Sequence, residues 1–544
     1  MALNSSYTHT NPAVRILADA LSEKHEVHIS ETTVNDRGGV LSLCEKLYAL
    51  KADMYAFSVY IWNRQMQLET AKTMKKLLPG SLILLGGPEV SFCDESFLEE
   101  NSFVDYLIKG EGEKAVCDIA DGKYSPKTVV DGGIYEDFPL SDEPYFCGKG
   151  SFGCRDGSLL YYESSRGCPY NCSYCLSSVK RPGEKVRAKS VSKVKKELGV
   201  ILSKNVRSVK FVDRTFNFDK ERAKQIFSFI IDYSKEHGGK CPTCHFEICA
   251  ALLDDETTAI LSNAPEGLIR FEIGVQTATP ETLCVIGRRD DTEKIIENVR
   301  KLKEKTKVTV HLDLICGLPH DSYEGIKKAF DMISGLADHL QLGVLKLLPG
   351  TKMREQADSF GMEFLEEPPY TLLCSDSFSF SEMRRLSGIS DTVDAFSEKD
   401  GGFFESVSYL EEISESSFGL FEKLFDYFGE KGNVSHREKY SLLFEFAKDL
   451  LCLCPNELEY LREKLRFDFL SSNAGRVPQS LERKYSDSEK TELELFRSKV
   501  IHEAPKGNGD FFVPALETHL FLFDSENIYV FDRKNKRVQA RKRV

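Results

Sequence analysis

Three cysteines stand close together in the run Ser165-Arg166-Gly167-Cys168-Pro169-Tyr170-Asn171-Cys172-Ser173-Tyr174-Cys175. Thiolates are the soft ligands that iron–sulfur clusters take. Three of them on one short loop can hold three irons of a cubane. With no fourth ligand nearby, one iron stays open to a substrate group, as one position does in catalytic zinc sites. Structural zinc wants four closed ligands, and this loop offers three with no histidine beside them. The C-x3-C-x2-C spacing, with an aromatic before the last cysteine, therefore points to a catalytic [4Fe–4S] cluster and away from a zinc knuckle.

The elements that must position such a loop read as a long alternation of strands and helices, the mark of parallel α/β domains. Between about 156 and 352 there are six strand–helix units, with strands near Leu160–Arg166, Val209–Phe216, His245–Ala250, Ile269–Gln276, Val308–Cys316 and Leu340–Leu348. The intervening helices have 3.6-residue apolar periodicity, as in Ala223, Ile226, Phe227, Ile230 and Ile231. Six consecutive units predict a partial barrel or a wide open sheet, with chemistry at the carboxyl ends of the strands. Residues 1–120 form a separate block with strands at Asp53–Tyr60, Ser81–Leu85 and Phe103–Ile108, each ending in a small or polar loop. Asn63 is expected to cap the helix after the first of these. Residues 121–155, rich in Gly, Pro, Asp and Ser, read as a linker. Residues 353–544 read as a mostly helical domain with a small hairpin, His519–Phe523 and Ile528–Phe531, near the end.

The cysteine loop resembles the signature of the radical S-adenosylmethionine (SAM) superfamily. The resemblance implies a partial (β/α)6 barrel, in agreement with the six units counted above. It also implies a cluster whose open iron chelates the methionine moiety of SAM and whose electron releases a 5′-deoxyadenosyl radical. In that family the cofactor supplies the hard chemistry and the protein supplies position and exclusion of water. The resemblance places Tyr174 beside the adenine. It puts Asp213 and Thr215, of the Asp-Arg-Thr triplet ending the second strand, at the methionine amino group, although the usual Gly-Gly-Glu is absent. Glu272 and Gln276 of the fourth strand should face the ligand. Arg288 should pair with the methionine carboxylate, which suits guanidinium geometry. Asp313 and Gly317 should meet ribose and adenine.

Residues 1–120 resemble the Rossmann-like cobalamin-binding domain that precedes the barrel in one branch of this superfamily. The matching order is strand then Ser58, strand then Gly86-Gly87-Pro88, and strand then Gly110-Glu111-Gly112-Glu113. A small hydroxyl and bare glycine backbone suit a bulky nucleotide tail sliding along strand ends. Ser58, Gly86, Gly87, Glu111 and Gly112 are thereby candidate cobalamin contacts. The Asp-x-His-x-x-Gly motif that supplies a lower-face histidine in some cobalamin proteins is absent. His9 is either a ligand or a polar loop residue. Trp62, the single tryptophan, either packs against the lower corrin face or serves as an ordinary interface aromatic. The first strand, starting at Met1-Ala2-Leu3, is short against the usual length of about five residues.

The whole implies a class B-type radical methyltransferase. It would transfer a methyl group to an unactivated carbon of a small-molecule or peptide substrate, under anaerobic conditions. A flavodoxin or ferredoxin would supply electrons. A cobalamin radical enzyme closing or contracting a ring is the nearest rival. A tRNA methylthiotransferase would need a second three-cysteine cluster, and the intact triad with its strand-end motifs argues against a non-catalytic cobalamin or redox sensor carrying a relic cluster. The net charge of −13 repels nucleic acid and anionic membranes. The basic stretch Arg533 to Arg543 reads as a solvated tail. No apolar run approaches the roughly 20 residues needed to span a bilayer, and the N-terminus lacks a signal-peptide pattern. The expectation is therefore a cytoplasmic protein, in which sixteen cysteines serve as metal ligands or buried thiols. Cys241 and Cys244 form a C-x2-C pair that is half a metal site, a redox pair or two incidental thiols.

Overall fold

The computed structural model describes residues 1–6, 8–134, 156–179, 184–288, 291–397, 402–432, 434–472 and 477–482, a few positions between 486 and 494, and the backbone of three strands between 520 and 542. Two compact units divide the chain. One comprises residues 1–326 with 344–383, the other 327–343 with 384–544.

The first unit opens with β1 (Ala2–Asn4), α1 (Pro12–Leu21), β2 (Glu31–Thr33), α2 (Gly39–Leu50), β3 (Met54–Ser58), α3 (Arg64–Leu77), β4 (Leu82–Gly86), α4 (Glu95–Glu100), β5 (Tyr106–Lys109), α5 (Glu113–Ala120) and β6 (Thr128–Asp131). The six strands form a parallel sheet in the order β2-β1-β3-β4-β5-β6. Its apolar residues sort onto two faces. Phe57, Ile83, Leu85 and Leu107 meet Leu47, Ala71 and Met74 on one side, while Leu84, Tyr106 and Ile108 meet Leu21, Val116 and Ile119 on the other. Two expectations change here. Residues 128–131 are a sheet strand and not linker, because Val130 is buried beside β5; residues 135–155 lie outside the described residues. Asn63 sits at the start of α3 without capping it through its side chain. Its amide instead donates to the carbonyls of Leu3 and Ser58 and accepts from Tyr60 N–H, which ties the ends of β1 and β3 together.

The barrel sheet follows. Its elements are β7 (Leu159–Tyr162), the short strands β8 (Ser165–Arg166) and β9 (Arg187–Ala188), α6 (Val191–Leu202), β10 (Ser208–Phe211), α7 (Lys220–Glu236), β11 (Thr243–Glu247), α8 (Asp255–Leu261), β12 (Ile269–Gln276), α9 (Pro280–Val285), α10 (Thr292–Lys305), β13 (Thr309–Cys316), α11 (Tyr323–Ile333) and β14 (His339–Val344). The sheet order is β14-β13-β12-β11-β10-β7, and the pairs from β7 to β13 are parallel. Six strands were expected. The first is shorter than its predicted span: the chain leaves β7 at Tyr162, and Ser165-Arg166 pair separately with β9.

Alternation along these strands decides which face points inward. Phe211, Phe246 and Phe271 are buried, and the latter two meet Phe227 of α7, with ring centroids 5.2 and 5.5 Å apart. That face is therefore the helix side. The opposite face carries Tyr161, Lys210, His245, Glu247, Arg270, Glu272, Gly274, Gln276, His311 and Asp313.

The compact unit continues past residue 352, where a boundary was expected, to Met383. The reason is backbone pairing: Leu347 N–H bonds to Tyr370 O, and Leu372 N–H to Leu345 O.

The second unit is mainly helical, with α12 (Phe404–Ile413), α13 (Ser417–Lys431), α14 (His436–Leu450) and α15 (Pro455–Ser472). Asp468 caps α12 by accepting from Glu405 N–H, Ser406 N–H and Ser406 Oγ–H. Strands β15 (Leu520–Leu522), β16 (Asn527–Asp532) and β17 (Arg537–Lys542) form an antiparallel sheet. Part of the basic stretch is thus a third strand on the expected hairpin and not a free tail; Arg533, Lys534, Lys536 and Arg543 lie outside the described residues. No helix among the described residues is long and apolar enough to cross a membrane.

Candidate active site

Cys168, Cys172 and Cys175 follow β8 as partly exposed free thiols on one loop. Gly167, at φ +90°, turns the chain into this loop. Three backbone bonds hold it: Cys175 N–H to Cys172 O, Ser173 N–H to Ile286 O, and Met353 N–H to Ser173 O. Thr215 Oγ1 lies 3.6 Å from Cys168 Sγ. Among the described residues no three His, Cys, Asp or Glu side chains gather closely enough to share a single ion. Cluster thiolates bind separate irons and stand further apart. Burial raises the Cys172 thiol, and nearby Arg288 opposes the rise.

Facing the loop are the ends of β12 and β13. Gln276 adopts φ +72°, in the left-handed region where a side chain is strained. It follows an irregularity in the β12–β13 register between Gly274 and Gln276. Its side chain folds back over Gly274, so closely that a Cβ on that glycine would fall 1.8 Å from Gln276 Nε2 and 3.5 Å from Arg288 Nη1. Arg288 donates to the Gly274 carbonyl. Asp313 is the register partner of Gly274. Gln276 Oε1 and Asp313 Oδ1 are both buried without a hydrogen bond, and His311 Nε2 lies 3.4 Å from the latter. Burial, then the charges of Glu272 and Glu247, raise Asp313 well above the usual carboxylate range. Burial also raises the Tyr174 phenol, and Arg288 again opposes it. Buried polar atoms are normally paired. Orphaned acceptors beside a guanidinium, at strand ends facing three thiols, fit a polar ligand such as SAM. Tyr174, Gln276, Arg288 and Asp313 are the side chains brought together there, while Gly317, at φ +93°, packs against Leu372 and Met383.

Three sequence candidates are engaged elsewhere. Asp213 is fully buried. Its carboxylate accepts from Ser164 N–H at 3.0 Å, Ser164 Oγ at 2.6 Å and Ser165 Oγ at 2.5 Å. It anchors the entry to the cysteine loop. Glu272 Oε2 lies 2.8 Å from Lys210 Nζ and 2.9 Å from His245 Nε2. Burial raises this carboxyl, but those two groups outweigh it and hold it well below its usual range. Glu111, expected at cobalamin, accepts from Arg166 and Arg187. In each case the partner lies many residues away, so no local motif could reveal the pairing. The inward residues Lys210, His245, Glu247 and His311 were missed, although the polar alternation in Thr-Cys-His-Phe-Glu and Thr-Val-His-Leu-Asp was a readable signal.

At the carboxyl ends of the first sheet, Ser58 is paired with Gly86. A Cβ on Gly86 would meet only Ile108, at 3.9 Å. Gly87, at φ +111°, lies so close to Val59 that a Cβ would fall 2.5 Å from its carbonyl oxygen. Trp62 is 47% exposed; it stacks on Tyr60 at 4.6 Å and donates from Nε1 to Leu3 O. An open glycine edge beside a tethered, exposed indole fits a broad planar ligand such as cobalamin. Gly112 starts α5, with Leu17 3.3 Å from where its Cβ would be. His9 docks on the barrel edge, its backbone bridged to Leu159 and its ring 5.8 Å from that of Tyr161.

Comparison with known proteins agrees with both halves of this site. The B12 binding domain model matches residues 1–120, the radical SAM superfamily model residues 162–333, and a protein family of unknown function, DUF4080, residues 358–504. The chain is 23% identical over 368 residues to an uncharacterized methyltransferase, PH0819, of Pyrococcus horikoshii, covering 63% of this chain and 77% of that one. It is 31% identical over 150 residues to the cobalamin-dependent radical SAM methyltransferase TokK of Streptomyces tokunonensis, covering 23% and 22%. Its fold resembles that of the radical S-adenosylmethionine methyltransferase TsrM from Kitasatospora setae, with a TM-score of 0.56 at 17% identity, covering 68% of this chain and 78% of that one. The cysteine loop and the strand ends that face it thus lie in a radical SAM domain, and the glycine-edged sheet ahead of it in a B12-binding domain.

Proposed function

We propose that this chain is a cobalamin-dependent radical SAM methyltransferase acting on an unactivated carbon of a small-molecule or peptide substrate. One observation carries the reading. The loop that ends β5 in the B12-binding domain is joined by ion pairs to the strand that leads into the cysteine loop. Both cofactor-holding ends therefore belong to one compact body. The cluster supplies the electron that cleaves SAM, and cobalamin supplies a methyl carrier. Cys168, Cys172 and Cys175 would hold the cluster. Arg288 would pair with the SAM carboxylate, Gln276 and Asp313 would take its polar groups, and Tyr174 would flank the adenine. Ser58, Gly86 and Trp62 would border the corrin. A flavodoxin or ferredoxin is the proposed electron donor, and a cluster held by these partly exposed thiols would call for anaerobic handling.

The test is an anaerobic incubation of the reconstituted chain with reductant and methyl-labelled SAM in cell extract. The expected result is 5′-deoxyadenosine and S-adenosylhomocysteine formed together, with label in a new metabolite or peptide. 5′-Deoxyadenosine without S-adenosylhomocysteine would replace methyl transfer by cyclisation or rearrangement. The triple Cys168/Cys172/Cys175→Ala variant should hold no cluster iron; residual iron would mean a second site, with Cys241 and Cys244 as the first candidates.

A further inference from the structure

Arg166 stands two residues ahead of the first cluster cysteine, separated from it only by the left-handed turn at Gly167. Its guanidinium reaches three carboxylates. Nε and Nη2 bond to Glu163 at 3.1 and 3.0 Å, Nη1 to Glu111 at 3.1 Å and Nη2 to Glu113 at 2.5 Å. Glu163 belongs to the barrel chain, but Glu111, in the loop after β5, and Glu113, the first residue of α5, belong to the B12-binding domain. Across the β8–β9 pair, Arg166 lies directly opposite Arg187. Like charges directly opposite on paired strands repel. Glu111 bonds to both guanidiniums, so it acts as the shared counter-ion that lets these two strands pair. All five side chains are largely buried, where an uncompensated charge is costly.

We propose that Arg166 is a positioning residue for the cysteine loop, and that it is held in place by Glu111 from the B12-binding domain. The N-terminal domain thus sets the geometry of the cluster site as well as holding cobalamin. Neutralising Glu111 leaves Arg166 and Arg187 facing each other and lets the strand ahead of Cys168 shift. A lysine at 166 keeps the charge but loses the planar fork that engages several carboxylates at once. The contrasting case is Arg64, whose pair with Glu367 also joins the N-terminal domain to the rest of the unit but has a partner carboxylate that is 81% exposed. The inference rests on the cluster site alone and is independent of methyl transfer.

The test compares full-length, anaerobically reconstituted wild type with Glu111→Gln, Arg166→Lys, Arg64→Gln and the double variant Glu111→Gln/Arg187→Gln. Two quantities are read per cluster: the electron paramagnetic resonance spectrum of the reduced cluster with and without SAM, and the rate of 5′-deoxyadenosine formation. Glu111→Gln and Arg166→Lys should each perturb the SAM-induced spectral change and lower the rate at least tenfold at near-normal iron content. Arg64→Gln should lower only the melting temperature. The double variant, with the repulsion removed, should recover most of the rate and the spectrum. A wild-type spectrum and per-cluster rate in Glu111→Gln would overturn the proposal, as would a double variant no better than the single one. If Glu111→Gln does not take up iron, the double variant and Arg166→Lys decide by the same readouts.

Discussion

Asp213→Ala should destabilise the barrel unit and impair assembly of the cysteine loop, because the carboxylate holds that loop's entrance. It accepts three hydrogen bonds, one from a backbone N–H and two from hydroxyls, all in the interior. Hydrogen bonds to charged groups contribute about 1.5–3 kcal/mol each. The alanine would orphan Ser164 N–H, and it would also remove a carboxylate whose charge acts on Arg222, which donates to Ser164 Oγ at 2.8 Å and Ser164 O at 3.0 Å. Two of the three donors are hydroxyls that can turn to other acceptors, so the losses do not simply add. Removing one partner from a buried charged network costs about 3–5 kcal/mol. In a unit of about 370 residues that is a fall in melting temperature of roughly 4–7 °C, at about 1.3 °C per kcal/mol. Asn at this position keeps one acceptor and can donate to a serine oxygen, so Asp213→Asn should cost about 1–2 kcal/mol. The assay is calorimetric melting of the iron-free chains, so that the cluster does not contribute, followed by iron content after reconstitution. Asp213→Ala within about 1 kcal/mol of wild type, with full iron uptake, would refute the anchoring role and return Asp213 to the list of ligand contacts.

Gly274→Ala should weaken SAM binding with little effect on melting, since its Cβ would displace the Gln276 side chain, and its three nearest neighbours are all side-chain atoms; equilibrium binding of SAM should fall by about tenfold or more, equivalent to about 1.4 kcal/mol, and an unchanged affinity would remove Gln276 from the site. In the second unit, burial pushes Asp468 up to about 7, against the bonds from Ser406 and Glu405, and burial pushes Glu411 up to about 7 as well. A carboxyl near 3.9 when unfolded and near 7 when folded binds its proton more tightly in the native state, so its contribution is present at low pH and is lost as pH rises from about 4 to about 7. The upper bound for Asp468 is about 4 kcal/mol, at 1.36 kcal/mol per pKa unit. Melting of this unit should therefore be higher at pH 5 than at pH 8, and Asp468→Asn should flatten the slope; an identical slope in the variant would exclude Asp468 as its source.

The cysteine triad, the order of the two α/β blocks and the helical character of the chain after the barrel were legible because they rest on local signals. These are ligand spacing, apolar periodicity and small-residue loops at strand ends. The predicted strand overruns β7 by four residues, Glu163 to Arg166, because Asp213 binds Ser164 and Ser165 away from the sheet. The local signals misread Thr128–Asp131 because the Pro/Gly-rich composition around it hides one short β-branched strand. The part of the second block that reaches Met383 was invisible for another reason: its attachment is backbone pairing between Leu345–Leu347 and Tyr370–Leu372, which has no side-chain signature.

The sequence by itself therefore determined which chemistry this chain is equipped for, since three thiolates at fixed spacing constrain a ligand set regardless of what surrounds them. Tertiary structure alone decided which polar groups remain available to serve it. Asp213, Glu272 and Glu111 are acids at the right strand ends, yet each is held by serines, lysine, histidine or arginines contributed by distant segments. Gln276 and Asp313, on the same two strands, keep acceptors with no protein hydrogen bond. Whether a carboxylate binds a ligand or ties the fold together depends on which counter-charge reaches it first, and those contacts exist only once the sheets have closed.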